Sequence, residues 1–182
     1  MLLIAVIMSS GCSGYKRFTL REGDAHFSFH YPKDYKNALT DIGSGYTWVT
    51  FERLLPDEVQ AVSWFTVTVD KAGTGRGEYT DAKDALEYDI SIRSKLDNYQ
   101  LLERSPVSVA GVAGEQLIWS HFSFSPYIKG ESPKETKPMF SRHVYFDHGG
   151  LIWGISMTSI EKMAEETEQY FEHLLETFRI LD

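Results

Sequence analysis

The chain has 182 residues, a formal net charge of −8, 42% hydrophobic and 14% aromatic residues, and one cysteine. This composition fits one globular domain and argues against a disordered chain, a disulfide framework and a protein with several membrane spans. Because Asp and Glu outnumber Lys and Arg by 26 to 18, and no basic cluster occurs along the sequence, we expect no nucleic-acid partner.

The N-terminus carries an apolar run, Leu2 to Met8, followed by Ser9-Ser10-Gly11-Cys12. The run is shorter than the roughly 20 apolar residues that span a bilayer, and it is typical of a signal peptide. The residues around Cys12 resemble the bacterial lipobox, in which a peptidase cuts before a lipid-modified cysteine. We therefore expect a lipoprotein-type signal peptide over residues 1–11, acyl chains such as palmitate on Cys12, and a tether over residues 12–20. A truncated secretory signal or a buried free cysteine is the alternative.

The first half of the remaining chain predicts three strands and a helix. Residues alternate between two faces from Ala25 until Pro32, and two runs rich in Thr, Val, Phe and Trp, 46–54 and 61–69, predict a hairpin. Thr80 is a good N-cap for a helix over residues 81–96. Its apolar stripe consists of Ala82, Ala85, Leu86, Ile92 and Leu96.

The second half predicts four strands and a closing helix. The strands are expected at residues 99–103, 112–124, 139–147 and 151–158. A long loop, 125–137, separates the second and third of them. Thr158-Ser159-Ile160-Glu161 predicts a capping box for the helix, whose apolar residues continue at helical spacing to Phe178.

The order of these elements predicts the fold class. Because most strands are joined by short connections, the sheet should be mostly antiparallel, and two amphipathic helices are available to cover its faces. We expect one α+β domain, an α/β/α sandwich, over residues 21–182.

No pattern in the sequence predicts catalysis or a metal site. His26 and His30 share a strand face, but four strand residues span about 13 Å, too far for two ligands of one ion. His121, His143 and His148 lie on or beside different strands without metal-ligand spacing. No serine lies in a nucleophile elbow. We therefore expect no catalytic residue, no metal and no cofactor.

Two surfaces are candidates for contact with a partner. The long loop carries three cations, and the closing helix carries an acidic stripe that is otherwise only a solvated helix face. The candidate contact residues are Lys129, Lys134, Lys137, Glu161, Glu165, Glu168 and Glu172.

The four tryptophans all fall within predicted strands, where large rings ordinarily supply core volume. These residues are Trp48, Trp64, Trp119 and Trp153. If some of them point outward, they form an exposed aromatic patch, which would be a partner or ligand site instead.

Three segments together resemble the PsbP-like family, which includes bacterial lipoproteins. They are the early Phe27-Ser28-Phe29-His30-Tyr31-Pro32, the turn Val109-Ala110-Gly111 that leads into a long strand, and the closing Thr177-Phe178. The resemblance implies an α/β/α sandwich around an antiparallel sheet. It also implies a non-enzymatic role, since family members are accessory or binding proteins, such as an extrinsic subunit of photosystem II and a protein that binds the Ran GTPase.

The sequence thus predicts a non-enzymatic, lipid-anchored protein of the cell envelope, facing outside the cytoplasm. Its domain would bind a protein partner or assist assembly of a membrane complex. The alternative is a carrier of a small apolar ligand held between the sheet and a helix.

Overall fold

The structure is a computed structural model that describes residues 14–54, 61–74, 79–124 and 136–182. Ten strands and two helices follow one another in this part of the chain. Their bounds are β1 Tyr15–Glu22, β2 Ala25–Pro32, β3 Lys36–Gly43, β4 Tyr46–Leu54, β5 Ala61–Lys71, α1 Ala82–Arg93, β6 Gln100–Val109, β7 Val112–Phe124, β8 Thr136–His148, β9 Leu151–Ile160, α2 Ala164–Thr177 and β10 Arg179–Ile180.

The strands form two sheets. A seven-stranded sheet has the order β3-β4-β5-β9-β8-β7-β6, and a three-stranded sheet has the order β1-β2-β10. Every strand pairing in the described residues is antiparallel. The predicted α+β class with a mostly antiparallel sheet is therefore confirmed.

The main core lies between one face of the seven-stranded sheet and a second layer made of α2 and the three-stranded sheet. Phe178, which follows α2, is fully buried and contacts the rings of Phe27, Phe29, Phe146 and Trp153. Burial of such rings dominates the free energy of a core like this one. The aromatic strand β2 and the terminal Phe178 therefore hold the two layers together.

The α/β/α description is correct only in part. Helix α1 lies on one face of the seven-stranded sheet, but the opposite face is covered by α2 together with the small sheet. The small sheet exists because strand β1 pairs along its whole length with β2, from Tyr15 opposite Pro32 to Glu22 opposite Ala25. Residues 15–20 are therefore strand, and the predicted tether does not extend beyond residue 14.

The helix starts also differ from the prediction. The carboxylate of Asp81, not the hydroxyl of Thr80, caps α1 by accepting a hydrogen bond from the N–H of Asp84 at 2.8 Å. Thr158 and Ser159 belong to β9, where they pair with β8, so the predicted capping box does not form. A 3-10 turn, Glu161–Met163, leads into α2, and neither it nor α2 has a side-chain cap.

Candidate binding groove

A groove opens beside α1 on the face of the seven-stranded sheet that points away from the main core. Helix α1 lies over β8 and β9 and leaves the neighbouring β4 and β5 uncovered. The space between them has a volume of about 500 Å³, which is within the range of about 300–1,000 Å³ typical of ligand sites.

Hydroxyl groups line the floor of the groove. Strand alternation places Thr66 and Thr68 of β5 on this face, while Phe65 and Val67 enter the main core. Ser156 and Thr158 of β9 and Ser141 of β8 continue the floor, and the Ser141 and Thr158 hydroxyls are 3.0 Å apart. The floor can therefore donate and accept hydrogen bonds across three neighbouring strands.

Gly154 provides room in the floor between two of these strands. A Cβ atom at this position would lie 2.5 Å from Oγ1 of Thr68 and 3.3 Å from the ring of Tyr145. Its φ is not in the left-handed region, so space and not backbone conformation is the constraint here. A side chain at this position would displace Thr68 and narrow the floor.

Aromatic rings form the two sides. Trp48 and Trp64 stand on β4 and β5, and Trp119 stands on β7 beneath the C-terminal end of α1. Trp119 and Trp153 are buried, but Trp48 is 36% exposed and Trp64 is half-buried. The prediction that the tryptophans are buried is thus correct for Trp119 and Trp153, while Trp48 and Trp64 line an accessible surface.

A buried contact between a carboxylate and a histidine fixes α1 to the sheet. Asp89 is only 5% exposed on the inward side of α1, and its Oδ2 lies 2.8 Å from Nδ1 of His143 on β8. Its Oδ1 accepts a hydrogen bond from Nε of Arg93 at 3.1 Å. Burial raises the pKa of Asp89, but His143 and Arg93 outweigh it and lower the pKa to about 2. Asp89 is therefore ionised throughout the physiological range.

Two polar atoms beside this pair have no partner. Nε1 of Trp119 and Nδ1 of His121 are buried and make no hydrogen bond within the described residues. Burial, followed by the charges of Arg93 and His143, lowers the pKa of His121, so its ring is neutral at pH 7. A buried donor without a partner costs about 1–3 kcal/mol. A bound molecule that supplied an acceptor to Trp119 would recover that free energy.

The groove contains one component of general-base sites. An aspartate that orients a histidine is a component of general-base sites, and Tyr145 adds a hydroxyl 3.5 Å from Nδ1 of His143. Burial raises the pKa of Tyr145, with the Asp89 charge adding to the effect, so this hydroxyl stays protonated. Among the described side chains no serine or threonine hydrogen-bonds to His143, and no group of three His, Cys, Asp or Glu could hold a metal ion.

Of the contact residues predicted from the sequence, those that the structure describes lie outside the groove. Cys12, Lys129 and Lys134 are outside the described residues. Lys137 is half-buried near the start of β8, and Glu161 and Glu165 are exposed where α2 begins. The side chains of Lys137, Glu161 and Glu165 do not line the groove. Within the described ranges, no helix is long and apolar enough to cross a membrane.

Two members of the acidic stripe have a structural partner that the sequence does not reveal. Arg142 of β8 is 6% exposed, contacts the carboxylate of Glu172, and lies 3.5 Å from Glu168. It also donates to Oε1 of Gln116 at 2.9 Å and lies over the ring of Phe171. A buried guanidinium requires such carboxylates. Glu168 and Glu172 therefore neutralise Arg142, and their availability to an external partner stays a prediction.

Asp89 is the groove residue that sequence reasoning missed. It occupies the position in the α1 stripe between Leu86 and Ile92 where an apolar residue is expected, three residues after Leu86. A carboxylate on the inward stripe of a helix indicates a buried partner on the element beneath. That signal is present in the sequence. The partner of Asp89, His143, could not be identified without the position of α1 over the sheet.

Asp89→Asn should lower the free energy of unfolding by about 2 kcal/mol at neutral pH, because the amide cannot replace the ionised carboxylate beside His143 and Arg93. Since the pKa of Asp89 is lower in the folded state than in the unfolded chain, its contribution is complete above about pH 4 and is lost as the pH falls towards 2. Urea unfolding at several pH values measures it. The exposed Asp97→Asn is the control and should have little effect. A deficit in Asp89→Asn that does not shrink with acid would contradict the assignment.

No protein-family model and no curated protein sequence matches the chain. Several solved structures match the chain. The cyanobacterial PsbP (CyanoP) of Synechocystis sp. PCC 6803 has a TM-score of 0.57 at 11% identity, over 95% of this chain and 96% of that chain. LpqN of Mycobacterium tuberculosis, involved in cell envelope biogenesis, has a TM-score of 0.55 at 11% identity, over 92% of each. The Saccharomyces cerevisiae Ran-binding protein Mog1p has a TM-score of 0.52 at 14% identity, over 92% and 96%. Identities this low establish the fold alone: the chain has the PsbP-like fold.

Proposed function

We propose that this protein is a non-enzymatic binding protein of the cell envelope, attached to a membrane by lipid on Cys12, and that the α1 groove binds a protein partner. The groove is the observation that carries the proposal. It combines open volume, aromatic sides and a polar floor on a face that no other described element covers.

The rim of the groove supports a partner larger than a small molecule. Tyr88 is 47% exposed, and Ile92 and Trp48 are each 36% exposed, so apolar surface continues outward from both sides. Aromatic side chains that surround a pocket are typical of the central residues of protein interfaces. A partner segment that inserts one apolar side chain between Trp48 and α1 would bury this rim.

The envelope location rests on the N-terminal sequence and agrees with the kinds of protein that share the fold. LpqN takes part in cell envelope biogenesis, and Mog1p binds Ran. These roles belong to those proteins. For this chain the two roles favour binding or assembly over catalysis, and that of LpqN favours the cell envelope.

A small-molecule ligand is the second candidate, and the unpartnered Nε1 of Trp119 favours it. The ligand would differ from the purely apolar molecule that the sequence suggests. The hydroxyl floor and the ionised Asp89 require polar atoms on the ligand, while Trp48 and Trp64 accommodate its apolar part.

A photo-crosslinking amino acid at position 88 tests the partner surface in living cells. We expect one discrete protein adduct from position 88, because Tyr88 stands on the groove rim. Position 165, on the acidic stripe of α2, is the matched comparison, since Glu165 is also exposed on a helix. An adduct from position 165 and none from position 88 would transfer the binding site to α2. A small mass increment at position 88 without a protein would favour the ligand carrier.

Cys12→Ala tests the attachment. We expect the variant to leave the membrane fraction in high salt, whereas the parent protein stays until detergent is added, because only the parent has acyl chains in the bilayer. Fractionation with immunodetection measures the distribution, and the mass of the mature N-terminal peptide identifies the lipid. A variant held in the membrane as firmly as its parent would show that Cys12 is not the anchor.

A further inference from the structure

The outer face of the three-stranded sheet carries a cluster of basic side chains, which we name the basic face. Strand β1 places Phe18 and Leu20 against the main core. The alternate residues Arg17, Thr19 and Arg21 therefore point outward. The register sets the outward residues of β1 beside those of β2, with Arg17 opposite His30 and Arg21 opposite His26. Strand β10 adds Arg179 opposite Ser28. The basic face consists of Arg17, Arg21, His26, His30 and Arg179.

The arginines of the basic face differ from the other described arginines in their partners. Arg53, Arg93, Arg104 and Arg142 each contact at least one carboxylate. In the same described ranges, Arg17 donates to the hydroxyl of Ser28, Arg179 donates to backbone carbonyls, and the Arg21 side chain makes no hydrogen bond or ion pair. In a chain with a net charge of −8, three guanidinium groups on one face thus form no ion pair with a described carboxylate.

The surroundings of His30 indicate the same positive potential. Burial lowers the pKa of His30, and the neighbouring charges that lower it further come from His173, Arg17 and Arg179. Two of these neighbours, Arg17 and Arg179, are cationic at every physiological pH. The exposed carboxylates nearest in the chain are Glu22, Asp24, Glu176 and Asp182, and none of them forms an ion pair with the basic face in the described residues.

The basic face lies close to the proposed anchor. Strand β1 starts at Tyr15, and the carbonyl of Gly14 accepts a hydrogen bond from the N–H of Lys33, which fixes the start of the strand. Only three chain steps separate Cys12 from Tyr15, a reach of about 11 Å at full extension. The surface potential of an anionic membrane extends over a similar distance at physiological ionic strength, about 8 Å. A lipid on Cys12 would therefore hold β1 within range of the headgroups.

We infer that the basic face docks on anionic phospholipid headgroups and orients the domain on its membrane. Headgroup phosphates accept hydrogen bonds from the three arginines, and β1 lies along the membrane surface. The groove, on the opposite side of the seven-stranded sheet, then faces away from the membrane. This inference deepens the membrane attachment of the proposed function, but the basic face binds without the acyl chains, so the two can fail separately.

Vesicle sedimentation of the full chain with Cys12→Ala tests the basic face alone. We expect binding to phosphatidylcholine vesicles that contain phosphatidylglycerol, little binding to pure phosphatidylcholine, and release by added salt. Arg21→Gln with Arg179→Gln should weaken binding by roughly tenfold or more, since each basic residue near an anionic surface contributes about 1 kcal/mol. Arg17 is left unchanged because it bonds to the buried Ser28.

Two control variants show whether a loss of binding comes from the lost charge of the basic face, from misfolding, or from the change in net charge. Lys83→Gln with Lys95→Gln removes the same charge from α1 and the turn that follows it, on the other side of the seven-stranded sheet, and should bind as Cys12→Ala alone does. Arg21→Lys with Arg179→Lys should retain binding if charge is what matters. Equal binding to both vesicle types would overturn the inference. An equal loss of binding in the Lys83/Lys95 and the Arg21/Arg179 variants would overturn it too. So would binding of the basic face to an acidic protein at the membrane while the vesicles stay unbound.

Discussion

A seven-stranded sheet is wider than the helix that covers its outer face. Strands spaced about 4.8 Å apart make the sheet about 29 Å wide, whereas a helix with its side chains is about 10 Å across. The inner face avoids this mismatch because α2 and the three-stranded sheet share it. Of the described elements only α1 lies over the outer face, so part of β4 and β5 stays open. The groove follows from this difference in cover, and the tryptophans and hydroxyls of those strands become accessible.

The position of α1 is set by charge as much as by apolar packing. Ala82 and Ala85 contact Ile152 at the N-terminal end of the helix and Leu86 is buried beside them, but the inward position after Leu86 holds Asp89. The ionised carboxylate between His143 and Arg93 fixes α1 over β8, and Arg93 reaches the face of Trp119 at 5.3 Å. The same residues that anchor the helix therefore form one side of the groove. A molecule bound there would contact the pair directly, so binding and the stability of α1 are coupled.

The sequence predicts the elements whose pattern repeats and misses those that tertiary contacts define. The bounds of β7 match the prediction because alternation, the Ala110-Gly111 turn and the strand composition agree. Strand β3 was not predicted, since it is exposed on both faces and its residues do not alternate. The basic face could not be predicted, because Arg17, Arg21 and Arg179 come from separate parts of the chain and meet only in the small sheet. Whether Trp48 and Trp64 are accessible depends on which part of the sheet α1 covers, and the sequence does not show this.

Native mass spectrometry of the protein, gently extracted from its own membranes, tests the groove most directly. Ser156 lies in the middle of the floor, opposite Thr66 and His143, so Ser156→Phe fills the groove without entering the main core. We expect the parent protein to retain a bound polypeptide or small molecule, and the folded Ser156→Phe variant to lose it. A bound species that the filled variant keeps, or a parent protein that carries none, would contradict the assignment of the groove as the binding site.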